Sequence, residues 1–218
     1  MKNAPELKSK HVIIANVLVL SSLTCSNAQA DNKLYLAVGM ENNSTIKTIQ
    51  QFDTQENNNA DKKLNYKSAT HPQLTIGMAV TDAWDIELQL GKQGGAGQFV
   101  DATNDDTVVK LNYNHYLVRA KYHIDVGKSS VFNPYIGLGY GITDGKLSDD
   151  EIAFTTKTQS SQLLIGNRFE LKNDWFADLA YNYTKVGKTK YKTKLMSYTF
   201  NIASHDVSSI SFSIGHRF

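Results

Sequence analysis

Apolar and polar side chains alternate residue by residue along much of the chain. Near the C terminus, for example, Ile210, Phe212 and Ile214 alternate with serines and a glycine. A period of two places successive side chains on opposite faces of a β-strand. The same pattern recurs over residues 34–40, 74–80, 84–90, 118–124, 132–140, 163–171 and 175–183. With residues 210–218 included, the pattern predicts eight strands and an all-β fold.

The links between these predicted strands vary in length in a regular way. Short links surround residues 81–83, 125–130 and 172–174, whereas long polar links cover 41–66, 91–106, 142–156 and 185–205. Short and long links alternate strictly, as in barrels whose strands cross a membrane with tight periplasmic turns and long external loops. The first long link is rich in Asn and Gln, and we expect it to be flexible or to extend the strands above the membrane.

Alternation alone does not say which face is inside, because soluble barrels and sandwiches also alternate, with the apolar face inward. The polar faces combine glycine and serine with charges of both signs, which suits the narrow lumen of an eight-stranded barrel. Trp84 and Trp175 lie beside short links, while Tyr140, Tyr181 and Tyr183 lie near long ones, as in two aromatic belts at membrane interfaces. We therefore predict an eight-stranded antiparallel up-and-down transmembrane β-barrel rather than a soluble one.

The first thirty residues have the three parts of a secretory signal peptide. Basic residues (Lys2, Lys8 and Lys10) precede an apolar run over 12–20, and the segment ends in Ala-Gln-Ala at 28–30. The apolar run is about half the roughly twenty residues that a membrane-spanning helix needs. We expect cleavage after Ala30, which makes residues 1–30 a signal peptide and residues 31–218 the barrel domain.

Composition gives little further guidance on function. The hydrophobic fraction of 41% is that of an ordinary soluble protein, because alternation halves the average. Cys25 is the single cysteine, and the residues before it match a lipoprotein signal poorly, so we expect it to be lost with the signal. Positive and negative charges balance closely in the remainder, which offers no general signature of nucleic-acid binding.

Three segments resemble the small outer-membrane barrels of the OmpA-like, OmpX-like and opacity-protein group. They are Asn133 to Gly141 (NPYIGLGYG), Leu164 to Tyr183 (LIGNRFELKNDWFADLAYNY) and the terminal SFSIGHRF. The resemblance implies location in the outer membrane of a Gram-negative bacterium, contact with its lipid and lipopolysaccharide, and a monomeric barrel. Phe218 resembles the terminal signal that the outer-membrane assembly machinery reads, whereas His216 stands where the family more often has Tyr or Phe.

Charged residues on the inward faces predict a network in the lumen. In an up-and-down barrel the third and fourth strands are neighbours, as are the sixth and seventh. Asp85 and Glu87 should therefore lie opposite Arg119, Lys121 and His123. Likewise, Arg168 and Glu170 should face Asp178. Such charges read either as an ion pathway or as a salt-bridged plug, and the small interior favours the plug.

Candidate catalytic and metal-binding residues are sparse. His205, Asp206 and Ser209 contain the residue types of a hydroxyl-activating set, as in lipid A-modifying barrels, but His205 and Asp206 should face opposite sides of a strand. We interpret them as ordinary polar residues. The histidines lack metal-ligand spacing. We expect no enzymatic activity, no metal and no cofactor.

The last long link is basic. It carries Lys185, Lys188, Lys190, Lys192 and Lys194. A basic loop beyond the outer leaflet could bind lipopolysaccharide phosphates or sulfated host glycans, although lysines also simply keep a loop soluble. The preferred reading is a structural or surface-interaction protein with an adhesion or envelope role in its external loops. The alternatives are a narrow porin-like channel and a lipid A-modifying enzyme.

Overall fold

The computed structural model describes residues 33–43, 49–53, 62–66, 68–100, 108–127, 131–148, 153–192, 199–202 and 204–218. The predicted signal peptide lies outside these ranges. The described residues form twelve strands, namely β1 (Leu34–Asn43), β2 (Ile49–Asp53), β3 (Lys62–Tyr66), β4 (Ala69–Ala79), β5 (Trp84–Val100), β6 (Val108–His123), β7 (Phe132–Ser148), β8 (Ala153–Glu170), β9 (Trp175–Val186), β10 (Thr189–Lys192), β11 (Thr199–Ile202) and β12 (His205–Arg217). No helix in the described part of the chain is long and apolar enough to cross a membrane.

Eight of these strands close into a barrel. The order is β1, β4, β5, β6, β7, β8, β9 and β12, each antiparallel to the next, and β12 pairs with β1. These strands contain the eight alternating segments, so the predicted barrel and its order are confirmed. Every backbone group in such a closed sheet has a neighbour to pair with, as a structure crossing hydrocarbon requires.

The four remaining strands continue the wall beyond the barrel. β10 pairs with β11, β11 with β2, β2 with β3, and β3 with the far half of β5. The far halves of β5 and β6 pair as far as Gln98↔Val108, and those of β7 and β8 as far as Ser148↔Ala153. We call this the hairpin end, and the opposite end, with the short links, the turn end.

Within the described residues, the long links predicted from the sequence are β-structured over much of their length. Residues 91–100 continue β5 and residues 142–148 continue β7, while β2 and β3 form extensions within the Asn- and Gln-rich link. Beyond the membrane, the outer face of a strand no longer has to be apolar, so the apolar alternation that reveals a strand in the sequence is lost. Backbone pairing persists there without that signal.

The apolar residues form the outer surface of the barrel. Val38, Leu138 and Ile165 are 60%, 67% and 58% exposed, although each is a large aliphatic side chain. An outward face this apolar is the arrangement of a barrel surrounded by acyl chains.

At the turn end, a two-residue turn connects β8 to β9. Asn173 and Asp174 have φ values of 58° and 59°. Positive φ at both central residues matches the right-handed twist of the flanking strands, and Asn and Asp tolerate it better than most residues. The sequence of this link therefore suits a tight hairpin.

Aromatic side chains fill much of the lumen. Tyr35, Tyr135 and Phe176 are each at most 1% exposed. Phe176 lies over Gly215, and Tyr135 lies over Gly166, where a Cβ atom would be 2.6 Å from Tyr135 Cζ. The inward glycines thus leave the volume that the rings occupy in a barrel of this size.

Candidate functional site in the barrel lumen

The main concentration of charge lies inside the barrel, in the half nearer the turn end. Six side chains, which we call the lumen ion cluster, are at most 6% exposed, and they are Asp85, Glu87, Arg119, Lys121, Arg168 and Asp178. Three are acidic and three are basic. Strands β5, β6, β8 and β9 contribute them, so the cluster joins opposite sides of the wall.

The stagger of the strands brings these residues to one level. A row of directly paired residues climbs from the turn end to the hairpin end as it passes around the barrel, through Trp84, Tyr122, Ile136, Ile165, Tyr181, Ile210 and Asn42. Directly paired residues therefore do not lie at the same height in the barrel. Residues on β8 and β5 that belong to different rows meet across the lumen.

Neighbouring strands supply the first part of the cluster. Glu87 lies directly opposite Arg119, and Asp85 opposite Lys121. Glu87 Oε2 is 2.5 Å from Arg119 Nη2, and its Oε1 is 2.7 Å from Lys121 Nζ. Lys121 Nζ also lies 3.3 Å from Asp178 Oδ2 on β9. One carboxylate is thus shared by two cations, and one cation by two carboxylates.

Arg168 connects the two sides of the lumen. Its Nη1 donates to Asp85 Oδ2 at 2.7 Å, and its Nη2 donates to Asp178 Oδ2 at 3.0 Å. The guanidinium lies over the ring of Phe176, with Cζ 4.3 Å from the ring centroid. Contact with an aromatic face adds to the attraction when the cation is out of water. This side chain therefore binds carboxylates from two strands and packs against a third residue.

Tyr35 and His123 complete the polar contacts of the cluster. The Tyr35 hydroxyl lies 2.7 Å from Glu87 Oε1 and 3.0 Å from Asp85 Oδ2, so its single proton is available to either carboxylate. His123 Nε2 lies 3.1 Å from Asp85 Oδ2. The alternation pattern put Tyr35 and His123 on inward faces, but it did not identify Tyr35 as a partner of the acidic residues.

Glu170 does not join the lumen ion cluster, so its predicted contact with Asp178 was wrong. The register places Arg168 opposite Asp178 and Glu170 opposite Phe176. Glu170 instead accepts two hydrogen bonds from Arg217, at 2.6 and 2.7 Å, at the turn end of the lumen. The residue opposite Glu170 is therefore Phe176 and not Asp178.

A cavity at the turn end leads to the cluster and stops there. Its volume is about 510 Å³, and its lining includes Lys33, Asp82, Asp85, Arg168 and Arg217. Beyond the cluster the described lumen is filled by polar side chains, among which the Gln89 amide donates to Gln73 at 2.7 Å. Ion pairs thus form the floor of the cavity.

Nearer the hairpin end, the lumen holds a layer of uncharged and acidic polar groups. His115 Nδ1 lies 2.7 Å from Thr143 Oγ1, which is 2.6 Å from Ser160 Oγ. Glu41 accepts a hydrogen bond from Ser209. The sequence reading missed this layer. The period-two alternation would have placed these residues on the inward face if it had been extended along the full length of β6, β7 and β8.

The His205, Asp206 and Ser209 set is divided between the two faces of β12. His205 and Ser209 are 4% and 2% exposed inside the barrel, whereas Asp206 lies on the outer face. The ring of His205 packs 5.6 Å from that of Tyr113. Among the described residues, no group of three or more His, Cys, Asp or Glu is arranged to hold a metal ion.

The predicted basic loop is only partly covered by the described residues. Lys185 and Lys188 are exposed at the hairpin end, and Lys190 and Lys192 belong to β10. Lys194 lies outside the described ranges. At the turn end, Phe218 is 76% exposed, and its backbone nitrogen donates to the Leu34 carbonyl at 2.8 Å.

A closed antiparallel barrel with an apolar exterior and a charged interior defines the class of transmembrane β-barrels. Residues 15–218 match the family model for the outer membrane protein beta-barrel domain. The chain therefore belongs to this family of outer-membrane barrels, which confirms the resemblance seen in the sequence. Export by a cleaved signal peptide stays a prediction.

Solved structures of the same fold are distant in sequence. OprG from Pseudomonas aeruginosa is 16% identical, with a TM-score of 0.58, over 86% of this chain and 96% of that chain. Neisserial surface protein A is 14% identical (TM-score 0.53), over 85% of this chain and 97% of that one. Outer membrane protein W of E. coli is 17% identical (TM-score 0.50), over 88% of this chain and 100% of that one. No curated protein sequence matches this chain.

Proposed function

We propose that this protein is a non-enzymatic outer-membrane scaffold that presents its hairpin end for interaction with anionic surfaces. The observation that carries the proposal is that the wall continues well past the length a membrane requires. A strand needs about 9–11 residues to cross a bilayer. Strands β5, β6, β7 and β8 have 17, 16, 17 and 18 residues.

The aromatic belts support this division of the wall. On β9, Trp175 is 47% exposed at the turn end, and Tyr183 is 39% exposed towards the hairpin end. At about 3.3 Å per residue and the usual tilt, the separation corresponds to roughly 20 Å of height, close to the apolar band of known barrels. Everything on the hairpin side of Tyr183 then stands above the hydrocarbon, where it is available to external partners.

The charge of this end suggests the chemistry of the partner. Lys185 and Lys188 are exposed, and three further lysines follow within the same link. Phosphate and sulfate groups are the ligands that such a cluster attracts, and the attraction weakens as salt rises. We propose lipopolysaccharide phosphates or sulfated glycans as the class of partner for this loop.

A cell-attachment assay tests the scaffold proposal. Cells that display the wild-type protein should bind a sulfated-glycan surface more than cells displaying a variant with Lys188, Lys190, Lys192 and Lys194 all changed to Gln. The difference should shrink at high salt, because the interaction is electrostatic. As a matched control, Lys172→Gln removes an exposed lysine at the turn end and should leave attachment unchanged. Equal attachment of the wild type and the four-lysine variant would refute the proposal.

The filled lumen favours a scaffold over a porin-like channel. A conducting path would have to pass Arg168 and its partners, and moving an unpaired buried charge is costly. In planar bilayers, we expect the wild-type protein to show no conductance or only small and irregular events. A stable open state of nanosiemens size would establish the channel alternative instead.

The C-terminal residue and the oligomeric state also belong to this proposal. We propose that Phe218, at the free end of β12, is read by the outer-membrane assembly machinery, and that the barrel is monomeric. Deletion of Phe218 should lower the amount of heat-modifiable protein in the outer-membrane fraction relative to a Phe218→Tyr control.

A further inference from the structure

A groove runs across the outer wall of the barrel, separate from the lumen. It has a volume of about 700 Å³. Its lining is mainly apolar and is drawn from strands β5 to β9, from Ile86 at one end to Lys185 at the other. Its direction follows the climbing rows, so the Lys185 end lies nearer the external side.

Small side chains form the floor of this groove. Ala120 on β6 lies directly opposite Leu138 on β7, and Ser161 on β8 lies directly opposite Tyr140. Leu138 and Tyr140 are 67% and 58% exposed and stand out from the wall beside these small residues. A low floor between tall apolar neighbours is a shape that a linear hydrocarbon chain fills.

The external end of the groove is polar and positively charged. Lys185 lies opposite Ser161 on one side and opposite Asp206 on the other. Lys185 is exposed and lies two residues beyond Tyr183 on β9, which places it at the level of the lipid headgroups, just above the tyrosine belt.

We propose that this groove binds one acyl chain of a phosphorylated glycolipid of the outer leaflet, with a phosphate of that lipid on Lys185. The groove spans five strands, or about 19 Å at the usual strand spacing, which is long enough to hold much of an extended acyl chain. The cation at the external end complements the phosphate, and burial of the chain against Ala120 and Leu138 supplies apolar contact.

This site deepens the proposed surface role, with which it shares only Lys185. The four-lysine variant keeps Lys185, so loss of cell attachment and loss of lipid binding are separate results. The loop lysines can prove unnecessary for attachment while the groove binds lipid A, and the groove can fail to bind lipid A while the loop lysines support attachment.

Native mass spectrometry of the purified full-length protein in detergent tests the inference, with diphosphoryl lipid A as the probe. The wild-type protein should carry one lipid A molecule. Lys185→Ala should lower its occupancy about fivefold, because one lysine near a lipid surface is worth about 1 kcal/mol. Ala120→Leu should lower it at least as much by filling the floor, whereas Asp206→Asn should raise it about twofold by removing the nearby negative charge.

Matched controls keep the test independent of folding. Lys172→Ala removes an exposed lysine at the turn end, and Ala177→Leu enlarges an outward alanine outside the groove. Both should bind lipid A like the wild type, and every variant should keep its heat-modifiable migration on gels. Equal occupancy in Lys185→Ala and Lys172→Ala, or in Ala120→Leu and Ala177→Leu, would overturn the proposal. So would equal binding of dephosphorylated lipid A or of phosphatidylglycerol.

Discussion

The lumen and the outer rim hold similar charged residues in opposite ways. In the lumen, Arg168 is 1% exposed and lies 2.7 Å from Asp85. At the rim, the side chain of Lys157 is 73% exposed and lies 3.7 Å from Asp144. Enclosed charges must be paired, because leaving one unpaired costs several kcal/mol, whereas exposed pairs contribute about 0–1 kcal/mol. The comparison teaches that lumen charges hold the barrel together, while rim charges remain available to external ligands.

Removal of Arg168, the central cation of the lumen ion cluster, should produce the largest loss of stability. Arg168→Met keeps much of the side-chain volume but leaves Asp85 and Asp178 without their shared partner. We expect a loss of about 3–5 kcal/mol in the free energy of unfolding. Urea titration followed by the fluorescence of Trp84 and Trp175 measures it. A loss below about 1 kcal/mol would mean that the cluster is not a structural element.

Overpacking of the lumen should have an intermediate effect. In Gly215→Val, the new Cβ would lie 2.8 Å from Phe176 Cε1, which is closer than side-chain atoms approach. The ring would have to move towards Arg168, at a cost of about 1–3 kcal/mol.

The matched control is Gly91→Ala, where the nearest atom to a new Cβ is 3.9 Å away. Its stability in the same titration should remain within about 0.5 kcal/mol of the wild type. If both variants lose the same stability, close packing against Phe176 is not the reason for a glycine at position 215.

The smallest loss of stability is expected when the ion pair at the turn end is removed. Arg217 and Glu170 have side chains that are 20% and 33% exposed. Because water reaches this pair, Arg217→Ala should cost about 1 kcal/mol or less, despite two good hydrogen bonds. The loss should decrease further in high salt, in contrast to that of Arg168→Met. A loss as large as that of Arg168→Met would remove the distinction between enclosed and exposed pairs.

The sequence predicted the membrane part of the fold because lipid imposes a readable pattern there. One face of each strand must be apolar, so residues such as Val38 and Leu138 mark both the strand and its outward face. Beyond the membrane that constraint ends. Strands β2, β3, β10 and β11 carry no comparable alternation, and their existence depends on backbone pairing with neighbours that are distant in sequence.

The site was predictable only as far as neighbouring strands determine it. The contacts of Glu87 with Arg119 and Lys121 follow from a single hairpin and its register. The contact of Arg168 with Asp85 joins strands that are not adjacent, so it depends on the stagger of the whole barrel and on the reach of a long side chain. Neither property can be read from the spacing of residues along the chain.

Because β1 pairs with β12, the barrel can close only after the last strand is available. Tyr35 pairs with Arg217 and Asn43 with Ser209, so the opening strand finds its second neighbour only in the closing one. Without β12, the other strands would form a curved sheet with two unpaired edge strands, which can pair with other chains. Ring closure between remote segments carries a loop entropy that can be offset only once synthesis is complete. The chain must therefore be kept from aggregating until β12 is available to pair with β1.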